Sequence, residues 1–125
     1  MTEVFNYRKL AVYQKAKLWV KDVYKLLDTF PPEEKYALRN QIQRASFSVP
    51  SNIAEGMSRS SRKDEAHFIE IAYGSLMEVQ SQLEIAETLG YINQIDIDWI
   101  DEKTMEIARM LSGLKMKLLQ MSSEK

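Results

Sequence analysis

Cysteine is absent from this chain of 125 residues, and glycine, proline and histidine are scarce, at four, three and one. Without a thiol there is no disulfide, no thiolate metal site and no cysteine nucleophile. The single histidine, His67, excludes the paired Glu-x-x-His motifs of a di-iron bundle. The sequence also lacks a glycine-rich phosphate loop and a Ser/His/Asp set. We therefore predict a protein that is not an enzyme and that uses no metal or cofactor.

Long apolar runs are also missing. No stretch approaches the length that crosses a bilayer, and the first residues lack the basic and apolar regions of a signal peptide. We expect a cytoplasmic protein with no membrane partner. A chain of this length can bury a core as one domain, here residues 1–125. Few glycines and prolines beside abundant helix formers predict an all-α protein.

Apolar residues recur at alternating steps of three and four, which is the pattern of helices in a bundle. The predicted helices span residues 7–29, 32–57, 62–89 and 97–121. Ser61 and Asp96 are the expected N-terminal caps of the third and fourth helices. Because the connections are short, each helix should run antiparallel to the one before it. The predicted fold is an antiparallel up-down-up-down four-helix bundle.

The second predicted helix breaks the usual helix rules. Pro50 removes one backbone hydrogen bond and clashes with the preceding turn, which costs about 3 kcal/mol and bends an ordinary helix. We expect a kink there, with nearby serines and Asn52 bonding the freed backbone groups. Glu55 should pair with Arg44 or Arg59. In the alternative interpretation, these polar groups face a partner molecule.

Charge is distributed unevenly although the net charge is only −1. Residues 1–63 carry twelve Lys or Arg and six Asp or Glu, a net +6, whereas residues 64–102 carry ten acids and no Lys or Arg, a net −10. Residues 103–125 add +3. Oppositely charged helices that lie side by side would explain this pattern. A basic face that binds phosphate backbones would explain it too.

The basic residues near the predicted second turn are the preferred candidates for phosphate contacts, because Arg59, Arg62 and Lys63 lie in a serine-rich loop. Lysines spaced four residues apart on the first helix are interpreted mainly as a solvated face. The full set of nucleic-acid candidates is Arg39, Arg44, Arg59, Arg62, Lys63, Lys17, Lys21 and Lys25. Such contacts give weak, salt-sensitive binding without base recognition, and a ring of subunits would strengthen it through avidity.

Several apolar residues fall outside the predicted seams and suggest a subunit interface. These oligomer-interface candidates are Trp19, Leu26, Tyr73, Met77 and Ile85. Basic and acidic surfaces come from different helices, so a head-to-tail contact could join the positive side of one subunit to the negative side of the next. Contacts of that kind close into rings.

Four segments, taken in order, resemble a bacterial four-helix bundle family, some of whose members are encoded in intervening sequences of the 23S ribosomal RNA gene. The segments are residues 7–16, 30–34, 52–56 and 68–76. The family-motif residues are Pro50, Asn52, Glu55 and Gly56. The resemblance implies a cyclic homopentamer with a central channel. Relatives act as accessory variability determinants of diversity-generating retroelements, which implies a reverse transcriptase or a ribosomal component as partner. The near-neutral net charge departs from the strongly basic surface that would mark this role more clearly.

Two functional classes remain open at this point. The first is a non-enzymatic oligomeric scaffold with weak electrostatic affinity for RNA or DNA, accessory to a nucleoprotein. The second is an oligomeric protein-interaction module that does not bind nucleic acid. In the second class, the charge asymmetry serves assembly alone.

Overall fold

The computed structural model describes residues 6–123, and within that range the chain forms four α-helices and no strand. The helices are α1 (Ala11–Leu27), α2 (Leu38–Gly56), α3 (Arg62–Thr88) and α4 (Gln94–Ser123). Short 3-10 helices precede α1 and α2, at Asn6–Lys9 and Pro32–Glu34. The prediction of an all-α four-helix bundle is confirmed.

Each helix packs against the next in sequence, and α1 also packs against α4. The described parts of α1 and α3 have no Cα atoms within 8 Å of each other, and neither do those of α2 and α4. The bundle is therefore four-sided, and the side formed by α1 and α2 lies opposite the side formed by α3 and α4. Helix α1 contacts its two neighbours less extensively than α3 contacts its own.

The core contains apolar side chains from all four helices, and it also takes in residues that the sequence assigned to a subunit interface. Trp19 is 1% exposed and Leu26 is 5% exposed. The Trp19 indole Nε1–H donates to Thr104 Oγ1 at 3.0 Å, and both residues are buried. The assignment of Trp19 and Leu26 to the surface is therefore wrong. Because α1 packs against two neighbours, residues at the edges of its wide apolar stripe are covered within one chain.

The second helix starts later than predicted. The chain forms one 3-10 turn after Pro31, and Ala37 adopts φ −121° and ψ −111° before α2 begins at Leu38. The Glu34 carboxylate then accepts a hydrogen bond from the Leu38 backbone N–H at 3.1 Å. A side chain from the turn thus satisfies one of the unpaired N–H groups at the start of the helix. Helix α2 continues through Pro50 to Gly56.

The starts of α3 and α4 use side-chain caps. Ser61 Oγ accepts from the Asp64 N–H at 3.1 Å, as predicted. At α4 the cap is Asn93, since its Oδ1 accepts from the Asp96 N–H at 2.9 Å. Asp96 Oδ2 accepts in return from the Asn93 N–H at 3.1 Å. The prediction that Asp96 is the cap is therefore wrong. The cap is Asn93, one turn earlier, and Asp96 is its reciprocal partner in a capping box.

Gly56 lies at a close approach of α2 to α3. A Cβ atom built at this position would lie 2.8 Å from Phe68 Cβ and 3.3 Å from the Glu65 carbonyl oxygen. Neither neighbour can move freely, because both atoms belong to or lie next to the backbone of α3. Only glycine allows the two helices to meet at this distance.

We predict that Gly56→Ala destabilises the fold by about 1–3 kcal/mol, the usual cost of overpacking a close contact. Urea unfolding followed by circular dichroism measures the change. Gly113→Ala is the matched control, since a Cβ there meets no atom within 4 Å. It should raise stability by up to about 1 kcal/mol, because alanine favours a helix interior over glycine. Equal effects of the two changes would contradict this account of Gly56.

At one end of the bundle, the α3–α4 connection is bonded to the α1–α2 connection. The Tyr91 hydroxyl donates to Glu34 Oε2 at 2.7 Å, and Thr29 Oγ1 donates to the Tyr91 carbonyl at 2.8 Å. The Tyr91 ring also packs on Phe30, with the ring centroids 5.3 Å apart. The hydrogen bond to Glu34, and then burial and the charges of Glu34 and Glu33, raise the pKa of Tyr91 above its ordinary value of 10.0.

A raised pKa in the folded state means that this contact stabilises the fold below the unfolded-state pKa and is lost as the pH rises through the folded-state pKa. We therefore expect Tyr91→Phe to lower stability at neutral pH, and we expect its difference from the parent protein to shrink above pH 10.0. Urea unfolding at a series of pH values tests this. Tyr36→Phe, at an exposed ring, is the control and should show no such trend. A constant Tyr91→Phe difference across the series would refute the assignment.

Candidate nucleic-acid interface

The turn between α2 and α3 carries cations that are already paired. Arg59 contacts the Glu55 carboxylate at 2.5 Å and lies 4.4 Å from the centroid of the Phe68 ring. Arg62 contacts Glu65 at 3.0 Å. These pairs neutralise two of the three cations that the sequence favoured for phosphate binding, and among the described residues Lys63 is the member of that set without an acidic partner. Of the two predicted partners for Glu55, the structure selects Arg59.

The family-motif residues make contacts inside the bundle. Asn52 Nδ2 donates to the Ser48 carbonyl and to Ser48 Oγ, both at 2.8 Å. Ser48 Oγ lies 2.9 Å from Ser75 Oγ on α3. Together with Gly56, these groups join α2 to α3 through small and polar contacts. The polar side chains around Pro50 therefore serve helix packing, which favours the structural interpretation of the motif.

A second basic surface lies on α1 and α2. We define the α1/α2 face by Lys17, Lys21, Lys25, Tyr13 and Tyr24 on α1 and by Arg39 and Phe47 on α2. The three lysines follow one another at four-residue spacing and are all exposed. Lys17 Nζ lies 5.4 Å from the Tyr13 ring centroid. The Tyr24 and Phe47 rings stack across the two helices, with their centroids 5.8 Å apart.

Few acidic side chains lie close to the cations of the α1/α2 face. Lys25 lies 3.7 Å from Asp22, and Arg39 lies 3.8 Å from Asp28. Both distances are longer than those of the pairs in the α2–α3 turn. Lys21 has no acid within salt-bridge distance among the residues that the structure describes. This face thus has more uncompensated positive charge than the turn, which reverses the order of preference that the sequence suggested.

Arg44, the remaining nucleic-acid candidate, lies outside the α1/α2 face. It lines a polar groove of about 360 Å³ between α2 and α3, where Ser48, Ser75 and Glu78 are also found. Glu78 supplies negative charge to the same groove. Arg44 is therefore less suited to a phosphate contact than the lysines of α1.

Sequence reasoning missed the aromatic part of the α1/α2 face. Tyr24 and Phe47 lie on different helices, and their stacking depends on how α1 and α2 dock. Tyr13 could have been found, because it precedes Lys17 by four residues and therefore lies on the same helix surface. Aromatic rings interleaved with cations are typical of surfaces that bind single-stranded nucleic acid.

The other side of the bundle carries an apolar groove with charged residues of both signs. Tyr73 and Met77 on α3 and Met105 on α4 line this groove of about 440 Å³, and its charged lining residues are Glu84, Asp101 and Arg109. We call this the α3/α4 groove. Tyr73, Met77 and Met105 are 36%, 37% and 55% exposed. Two of the predicted interface residues therefore meet on one surface, whereas Ile85, which is 49% exposed, does not line this groove.

The described residues, 6–123, contain no cluster of three or more His, Cys, Asp or Glu side chains that could hold a metal ion. His67 is exposed, and its ring contacts the edge of Phe68. Within the same residues, no helix has the length and hydrophobicity needed to span a bilayer.

Comparison with known proteins finds a matching family and a solved structure with a similar fold. The model of a family described as 23S rRNA-intervening sequence protein matches residues 8–113. The chain is also similar to the crystal structure, at 1.70 Å resolution, of a protein of unknown function from the S23 ribosomal protein family of Bacteroides thetaiotaomicron VPI-5482. That similarity has a TM-score of 0.76 and 23% sequence identity, and covers 84% of this chain and 98% of the other. It concerns the fold alone. No curated protein matches the chain.

Proposed function

Since this chain belongs to the 23S rRNA-intervening sequence protein family, we propose that it is a non-enzymatic, homo-oligomeric scaffold that associates with the phosphate backbone of RNA or DNA. The α1/α2 face is the contact surface. The observation that carries the proposal is the row of Lys17, Lys21 and Lys25, which is exposed, weakly compensated and flanked by aromatic rings.

Electrostatics supports a weak, sequence-independent contact. Each phosphate that a lysine or arginine neutralises releases counterions, which makes the affinity fall steeply with salt. One chain offers only a few such cations, so a single subunit binds poorly. Several subunits that present the same face to one strand would gain affinity by two to four orders of magnitude through avidity. The function thus depends on assembly.

The α3/α4 groove is the surface that we assign to assembly. Tyr73, Met77 and Met105 expose apolar area there, and water is excluded from that area when a second subunit covers it. Because this groove lies opposite the α1/α2 face, a ring contact that joins it to a surface of the next subunit other than that face leaves the basic face open. The expected form is a cyclic homopentamer in the cytoplasm, accessory to a nucleoprotein that contains a reverse transcriptase or a ribosomal component.

One observation favours a second candidate, a protein-interaction module without nucleic-acid binding. Glu84 and Asp101 line the α3/α4 groove, so the lysines of a neighbouring subunit could pair with them. In that arrangement the α1/α2 face is covered by assembly. Nucleic-acid binding by the intact oligomer separates the two candidates.

We expect light scattering to give a mass several times the 14.6 kDa of one chain at micromolar concentrations. Met77→Glu should lower this mass, because it places a charge in the apolar groove between subunits. Ile95→Glu is the matched control, since Ile95 is 77% exposed and does not line the α3/α4 groove. A monomer mass for the parent protein would contradict assembly. Equal masses for both variants and the parent would exclude this groove as the interface.

We expect the oligomer to bind mixed-sequence RNA and DNA at low salt, and we expect neutralising the lysine row with Lys17→Gln, Lys21→Gln and Lys25→Gln to weaken binding. If all three lysines contact duplex phosphates, the slope of log affinity against log salt should fall by up to about 2.7 per engaged subunit. Filter binding or fluorescence anisotropy over a salt series measures the slope.

The matched control neutralises Arg59, Arg62 and Lys63 in the same way, and it should have a smaller effect because two of these cations are paired internally. Circular dichroism and light scattering check that helix content and mass are unchanged. A larger effect of the control triple would move the site to the α2–α3 turn. If the intact oligomer binds neither nucleic acid at about 50 mM salt, the protein-interaction module is the better account.

A further inference from the structure

The connection between α1 and α2 forms a groove that neither the lysine row nor the family motif explains. Its walls come from the 3-10 turn and the first turns of α2, and the groove has a volume of about 580 Å³. Phe30, which is 6% exposed, is one of the lining residues. Tyr36, Arg39, Asn40 and Gln43 also line the groove. We call it the Tyr36 groove.

We propose that the Tyr36 groove binds an unpaired nucleotide of single-stranded nucleic acid, with its base stacked on Tyr36. This inference rests on the proposed function and adds a preference for single strands to it. The Tyr36 side chain is 84% exposed, so the ring contributes little to the core. Lys35 lies over one face of the ring, and we assign the other face to the base, since every base can stack on an aromatic ring whatever its sequence.

Two cations lie beside the ring, at a turn that also carries acidic side chains. Lys35 Nζ lies 5.4 Å from the centroid of the Tyr36 ring. Arg39, three residues further on, lies 3.8 Å from Asp28, a distance that leaves this pair loosely held. Glu33 is exposed at the same turn, while the Glu34 carboxylate already accepts hydrogen bonds from Leu38 and Tyr91. Lys35 and Arg39 are thus placed to contact the phosphates on either side of a stacked base.

Polar groups in the groove suit the edge of a base. The side-chain amides of Asn40 and Gln43 have no hydrogen-bond partner in the described part of the chain, and each offers both donors and an acceptor. Phe30 supplies an apolar surface beneath them. A base inside a duplex is stacked on its neighbours and cannot enter such a groove without being unpaired. The groove therefore selects single strands.

The hydrogen bond from Tyr91 to Glu34 anchors the turn that forms one wall of the Tyr36 groove. Glu34 caps α2 through Leu38 and at the same time accepts from the Tyr91 hydroxyl. The turn that carries Lys35 and Tyr36 is in this way tied to the opposite connection. A ring that is already in place loses less conformational freedom on binding than a ring on a free loop.

Fluorescence anisotropy with a labelled short oligouridylate and with a labelled duplex of mixed sequence tests the proposal. Tyr36→Ala should weaken binding of the single strand roughly 5- to 150-fold, the loss that corresponds to removing one base-stacking contact. Tyr36→Phe keeps the ring and should retain the parent affinity. Binding of the duplex should be the same for all three proteins, since duplex contacts depend on the lysine row.

Asp28→Asn provides a second readout that does not remove any aromatic packing. It releases Arg39 from its acid, so we expect tighter binding of the single strand and a steeper salt dependence. Arg39→Gln should have the opposite effect. Thermal unfolding followed by circular dichroism verifies that each variant remains folded.

The outcomes separate this proposal from the proposed function. If both probes bind the parent protein and Tyr36→Ala changes neither, the groove proposal is wrong and the proposed function stands. An equal loss for the single strand and the duplex would also overturn the groove, because the ring would then contribute no preference for unpaired bases. If neither probe binds the parent protein, the proposed function itself fails. Unchanged binding in Asp28→Asn would remove Arg39 from the site.

Discussion

The close approach of α2 and α3 at Gly56 is the constraint on which the rest of the structure depends. The two backbones come so near that a single methyl group at Gly56 would overlap Phe68 Cβ at 2.8 Å. Further along the same contact, Ser48 Oγ is hydrogen-bonded to Ser75 Oγ across the two helices, and Asn52 donates to Ser48 within α2. Small and polar side chains therefore form part of the contact on this side of the bundle.

The spacing on the α1 side is set differently. Trp19 fills the space between α1 and α4 and bonds to Thr104, whereas Tyr24 and Phe47 stack across α1 and α2. Large side chains at these contacts hold α1 away from its neighbours, which agrees with its less extensive contacts. Aromatic rings thus stand at the surface of the bundle where α1 meets α2. The aromatic side chains that pack α1 against α2 are thus also part of the proposed binding face.

Charged residues are also distributed unequally between the two sides of the bundle. Two of the three cations of the α2–α3 turn, Arg59 and Arg62, are paired with Glu55 and Glu65 at the end of the tight contact. The lysines of α1 lie where the protein offers fewer acids. The net charge of −1 is therefore a poor guide to function, because it averages a basic side and an acidic side that face opposite directions.

The sequence by itself determined the class of the fold, the number of helices in the described range and the cap at Ser61, because these follow from local periodicity and from residues close in the chain. It also identified the motif from Pro50 to Gly56. It failed at Trp19 and Leu26, since burial at the edge of a helix depends on which neighbours cover that edge. The pairs of Arg59 and Arg62 are with acids three or four residues away and could be read from spacing, whereas the contact of Arg39 with Asp28 depends on how α1 and α2 dock. The stacking of Tyr24 on Phe47 and the groove beside Tyr36 depend on how separate helices dock, and only the tertiary structure decided that.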